Sequence, residues 1–200
     1  MPGTTPGCSF DKLAPMKHLF GRQAFVELLI SEGITHLFGN PGTTELPIMH
    51  ALKDHPDLTY VMAMQESLVV AMADGYSRAS GKLTACNVHV APGLGNAMGA
   101  LYNAKFSGSP LILTAGQQEQ GHGLLEPLLY EPLAPLAAPL VKWSVEVTQL
   151  QDLPRINQAV ARGETTVSIS FVHDGPGEKA QGFPLETITP ADGTGAEIGS

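Results

Sequence analysis

Between Thr35 and Ala115 the chain alternates short apolar runs with amphipathic stretches, and few folds accept that pattern. Thr35-His-Leu-Phe38, Leu58-Thr-Tyr-Val-Met-Ala63, Lys82 to Val88 and Pro110-Leu-Ile-Leu-Thr-Ala115 each read as a buried strand. Gly21 to Glu32 reads as a helix ahead of the first strand, and Glu45 to Lys53, Leu68 to Ala79 and Asn96 to about Lys105 read as helices between strands. Strands separated by helices at such short intervals predict an α/β domain, a parallel sheet flanked by helices on both faces with right-handed crossovers. Gly33 suits the C-cap of the first helix, Thr44 suits the N-cap of the second, and Pro47 falls in that helix's first turn.

Beyond Ala115 the pattern changes. Glu119 to Leu140 holds Pro127, Pro132, Pro135 and Pro139 among many leucines, too many prolines for a long helix. An irregular segment packed on the domain or on a partner is expected there. Lys142 to Val145 reads as a short strand, Asp152 to Ala161 as a helix and Thr166 to Val172, with its period of two, as a last strand. These place one domain over residues 18–173. Residues 1–17 and 174–200 are rich in Pro and Gly and poor in apolar residues, so a disordered extension and a disordered tail are expected.

Composition narrows the function. A net charge of -8, without a Lys/Arg cluster, argues against a nucleic-acid partner. No stretch is long and apolar enough to span a membrane. The two cysteines, Cys8 and Cys86, form no disulfide framework or metal-ligand spacing, so a reducing, cytoplasmic compartment is the default.

Chemistry concentrates where strands end. Glu66 stands at the join between a buried strand and a buried helix, where a carboxylate must be hydrogen-bonded, neutralised or used. It either caps the following helix or serves a site. His89 ends the next strand, beside a glycine-rich stretch, and reads as a structural residue or a functional one. Gly93-Leu-Gly95-Asn-Ala-Met-Gly99 approaches a dinucleotide fingerprint, but the next strand ends Thr114-Ala-Gly-Gln117, without the carboxylate that would grip a ribose. The plainer reading is a tight turn at Gly93 and Gly95, with Gly99 permitting close helix packing. Asn40-Pro-Gly-Thr-Thr44 is a turn that offers Thr43 and backbone amides to the same edge.

Taken together, Phe38-Gly-Asn-Pro-Gly-Thr-Thr-Glu-Leu-Pro47, Gln65-Glu66, Ala73-Asp-Gly-Tyr76, His89-Val-Ala-Pro-Gly-Leu-Gly-Asn-Ala-Met-Gly-Ala100 and Ser109 to Gln118 resemble the N-terminal, pyrimidine-binding domain of thiamine-diphosphate-dependent enzymes. Benzoylformate decarboxylases are the nearer likeness and acetolactate synthases a more distant one. The resemblance implies that Glu66 hydrogen-bonds N1′ of the cofactor's aminopyrimidine and controls its tautomer. It implies that Pro41, Gly42, Gly93 and Asn96 contact the cofactor. Thr43 then falls where a serine meets the substrate carboxylate, and His89 where a histidine faces a small 2-oxo acid and moves protons. The Gly-Asp-Gly sequence of the family's diphosphate-binding domain, which holds Mg2+, does not occur in this chain. A fragment or one subunit of a split enzyme is expected, inactive alone and completed by a homo-oligomer or a separate diphosphate-binding domain. A carboligase domain of the acetolactate-synthase kind, a non-catalytic dimerising remnant and a dinucleotide-binding module are the alternatives.

Overall fold

The structure, a computed structural model, describes residues 18–149, 152–153, 166–172 and 183–184. The expected N-terminal extension and most of the expected 152–161 helix and 174–200 tail lie outside the described residues. Six strands form one parallel sheet: β2 His36–Gly39, β3 Thr59–Met62, β4 Thr84–Val88, β5 Leu111–Gln117, β6 Trp143–Val147 and β7 Thr166–Val172. Their order across the sheet is β3-β2-β4-β5-β7-β6, with β7 inserted between β5 and β6. A separate antiparallel ribbon pairs β1, His18–Leu19, with β8, Phe183–Pro184. Its second strand, β8, lies inside the segment expected to be a disordered tail, because composition does not register a backbone partner far away in sequence.

Side chains leave successive strand residues toward opposite faces, and the core divides accordingly. On one face Leu37, Ala85 and Ile112 meet α1, Gly21–Ser31, and α2, Leu46–Leu52. On the other, Phe38, Cys86, Leu111 and Leu113 meet α3, Glu66–Ser80, α4, Val90–Ser107, and α6, Leu133–Ala137. The helices therefore cover both faces, as the alternation of elements requires. Strands buried on both sides are mostly apolar, and β4 and β5 are buried throughout, their polar Asn87 and Thr114 side chains bonded to each other at 3.0 Å.

Several local expectations are corrected. The second helix starts at Leu46, after a 3₁₀ turn over Thr43–Glu45, and Thr44 is not its cap. The Thr44 hydroxyl donates instead to the Glu45 carboxylate at 2.6 Å, a charge-assisted bond that a backbone N–H does not match. The glycine-rich stretch after His89 is not a turn. Helix α4 begins at Val90, and the Gly93 N–H donates to the His89 carbonyl at 2.9 Å. Gly99 is not there for close packing, since a Cβ on it would meet nothing within 4 Å. The Leu/Pro segment is partly ordered, with a short α5 at Gln120–Gly123 preceding α6. Leu133 and Ala137 are buried, but Leu124, Leu125 and Leu128 stand in solvent.

Candidate active site

The carboxyl ends of β2, β3, β4 and β5 deliver the candidate residues to one edge of the sheet. At the end of β3, Gln65 occupies the N-cap of α3, and its Oε1 accepts the Leu68 N–H at 3.0 Å. Capping thus falls to Gln65, and the Glu66 carboxylate is left for other work. The residue is 8% exposed. Its Oε1 accepts from Asn40 Nδ2 at 2.8 Å and its Oε2 from Asn96 Nδ2 at 3.0 Å. Asn40 comes from the loop after β2 and is tied to β4 through its own N–H, which donates to the Asn87 carbonyl at 3.2 Å. Asn96 comes from the second turn of α4. The acid is therefore aimed by two neutral amides from two different elements, and each oxygen retains a lone pair for a further donor. A Cβ on Gly93 would lie 3.5 Å from Glu66 Cγ and 3.4 Å from the Val88 backbone, so the start of α4 runs close beside the acid.

A second cluster lies on the same edge, and its centre escaped the sequence reading. Glu45, 1% exposed, receives three donors and meets a ring nitrogen of His89. Gly42 N–H reaches Oε2 at 2.8 Å and Gly116 N–H reaches Oε1 at 3.0 Å. Thr44 donates to Oε1, and His89 Nδ1 stands 2.8 Å from Oε2. One carboxylate ties the ends of β2, β4 and β5 together. The available signal was the spacing Gly42-x-x-Glu45, in which an acid three residues on reaches back to a backbone N–H at the start of a helical turn. Gly116 admits the arrangement because a Cβ there would lie 2.1 Å from both Glu45 Oε1 and Thr44 Oγ1. Tyr60 lies beneath, its hydroxyl buried and without a hydrogen-bond partner among the described residues. Burial, and secondarily the Glu45 charge, push that phenol well above its usual range.

The structure brings Glu66, Gly93 and Asn96 together, and His89 with Gly42. Thr43 is exposed in the 3₁₀ turn, and the threonine that reaches into the second cluster is Thr44. Pro41 joins the two clusters along the chain, between Asn40 and Gly42.

A parallel α/β domain covered on both faces, with a buried carboxylate held at its strand-end edge by side-chain amides, defines a ligand-binding domain of the doubly wound class. Its family is the thiamine pyrophosphate enzymes, to which this chain belongs: the sequence profile of their N-terminal TPP binding domain matches residues 20–127. The chain is 48% identical over 140 residues to a benzoylformate decarboxylase of Pseudomonas aeruginosa, a match covering 68% of this chain and 26% of that protein. A mitochondrial acetolactate synthase catalytic subunit of Aspergillus candidus is 29% identical over 140 residues, covering 70% of this chain and 20% of that one. Among solved structures, a thiamine diphosphate-dependent 4-hydroxybenzoylformate decarboxylase of Rhodococcus jostii RHA1 superposes with a TM-score of 0.77 at 38% identity, covering 91% of this chain and 34% of the other. The chain thus spans about a quarter of the length of the curated relatives it matches. It is a TPP-binding N-terminal domain similar to that of benzoylformate decarboxylase. No helix among the described residues is long and apolar enough to cross a membrane.

Proposed function

We propose that this chain supplies the pyrimidine-binding half of a thiamine-diphosphate-dependent decarboxylase acting on a small 2-oxo acid of the benzoylformate kind. The observation that carries the reading is the Glu66 carboxylate, buried, relieved of capping by Gln65 and aimed by Asn40 and Asn96. The residues fit an aminopyrimidine: a buried acid with an acceptor position to spare can hold a proton at the ring nitrogen, and desolvation strengthens that bond. When bound, thiamine diphosphate supplies the electron sink that lets a 2-oxo acid lose carbon dioxide. Glu66 holds the proton at N1′ and so selects the ring's tautomer. Asn40 and Asn96 fix the carboxylate's direction. Pro41, Gly42 and Gly93 form the close walls of the site, Thr43 offers a hydroxyl to the substrate carboxylate, and His89 exchanges a proton with the substrate.

In this reading the diphosphate and its Mg2+ are held by a second domain, brought by another subunit of a homo-oligomer or by a separate chain, in the reducing cytoplasm. The surface supports a partner of that kind. Leu68, Tyr102 and Phe106 stand exposed along α3 and α4, with Phe106 84% exposed, and Met64 is exposed just before α3.

Calorimetry with thiamine diphosphate and Mg2+ tests the proposal. Binding is expected only when a diphosphate-binding domain is added, with negligible benzoylformate turnover by the chain alone. Failure to bind in either case would leave a non-catalytic dimerising domain. Carboligation of the acetolactate-synthase kind is the second reading, favoured by the 29% relative, and product analysis of the complemented enzyme separates the two.

A further inference from the structure

We infer that Glu45 is a positioning residue, which fixes His89 as the Nδ1–H tautomer and reserves Nε2 for proton transfer at the strand edge. The assignment deepens the reading above, in which His89 meets the substrate. Apart from the imidazole itself, every group facing the Glu45 carboxylate within hydrogen-bond distance donates: two backbone N–H groups and the Thr44 hydroxyl. That is the environment of an anion. An unprotonated Nδ1 at 2.8 Å would press its lone pair against a carboxylate lone pair in a buried place. The proton must therefore sit on Nδ1. Thr44 agrees, for its own hydroxyl proton goes to Glu45, and at 3.1 Å its oxygen can only accept from Nδ1. Among the described residues no hydrogen bond engages Nε2, and the His89 side chain is 25% exposed.

The ring has one seat. A Cβ on Gly42 would come within 2.3 Å of His89 Cγ, 2.4 Å of Nδ1 and 2.5 Å of Cδ2, so the imidazole rests on bare backbone. The next residue, Val90, is fully buried at φ +43, in the left-handed region that β-branched residues avoid. Surrounding packing holds that turn between β4 and α4 and so fixes where the imidazole leaves the backbone. With Nδ1 committed, Nε2 carries the lone pair. When it takes a proton, the imidazolium forms beside a carboxylate that was already in place, and when it returns that proton the starting tautomer is restored.

The test is nitrogen-15 NMR of the labelled 200-residue chain, reading which ring nitrogen of His89 is protonated in the neutral form. The expected result is Nδ1–H in the wild type, with Nε2–H, the form the side chain of free histidine prefers, becoming the major species in Glu45→Gln. Nε2–H in the wild type, or an unchanged tautomer in Glu45→Gln, overturns the assignment. If Glu45→Gln does not fold, Gly42→Ala serves, since it unseats the ring while leaving the carboxylate. There too a shift toward Nε2–H is expected, and an unchanged tautomer counts against the role. The measurement needs no cofactor, so its failure is distinct from a failure to bind thiamine diphosphate.

Discussion

Two buried acids stand on one sheet edge, and the donors around each decide what it can do. Glu66 receives two side-chain amides, Glu45 two backbone amides, a hydroxyl and an imidazole. Glu66→Gln keeps the volume but presents an NH2 to one of the two asparagine NH2 groups. Loss of one bond and burial of the unmatched donors should cost about 1–3 kcal/mol, read by urea denaturation. The same variant should abolish turnover in an enzyme complemented with a diphosphate-binding domain, and surviving turnover would remove Glu66 from its assigned role. Gly116→Ala drives a methyl into Glu45 and Thr44 and should cost about 1–3 kcal/mol through overpacking. Sequence reading found Glu66 because an acid between two apolar runs is conspicuous. It passed over Glu45, which sits in a short polar turn, since nothing local says that Gly116 and His89, far along the chain, come to meet it.

At the scale of elements, glycines sort by what surrounds them. Gly81 and Gly108 end α3 and α4 at φ +69 and φ +66, where an L-residue is strained. Gly108→Ala should therefore destabilise the chain by about 1 kcal/mol. Gly99 sits inside α4 with open space where its Cβ would be. Gly99→Ala should stabilise the isolated chain by about 0.5–1 kcal/mol through the helix preference of alanine, and equal effects of the two variants in thermal melts would contradict this account. The periodicities that predict strands and helices placed the sheet's central elements to within a few residues. The start of α4 was missed because Gly93 and Gly95 read as a turn. The helix starts at Val90 all the same, with Gly93 N–H donating to the His89 carbonyl and the first turn lying against Val88 and Glu66.

Over the whole molecule, buried weak acids set a limit at alkaline pH. Burial pushes the Cys86 thiol, on β4 at the centre of the sheet, far above its usual range, and does the same to the Tyr60 phenol. Both keep their protons in the folded chain at pH values where the unfolded chain releases them. Stability contributed by the protonated groups is full below about 8.5, the ordinary cysteine value, and falls as pH rises toward the folded values. The urea midpoint should therefore be lower at pH 10 than at pH 7, and Cys86→Ala should flatten the part of that slope that begins near the thiol's ordinary value.

The sequence by itself determined the layered α/β class, the strand-end location of Glu66 and His89, and the family, because those follow from periodicity and from motifs that are continuous along the chain. Tertiary structure alone decided that β7 enters the sheet between β5 and β6, that Gln65 rather than Glu66 caps α3, and that Glu45 grips His89. The Gln65 cap is local, but Glu66 is drawn away from capping by Asn40 and Asn96, and in the other two cases too the partners are distant in sequence, so only folding brings them within reach.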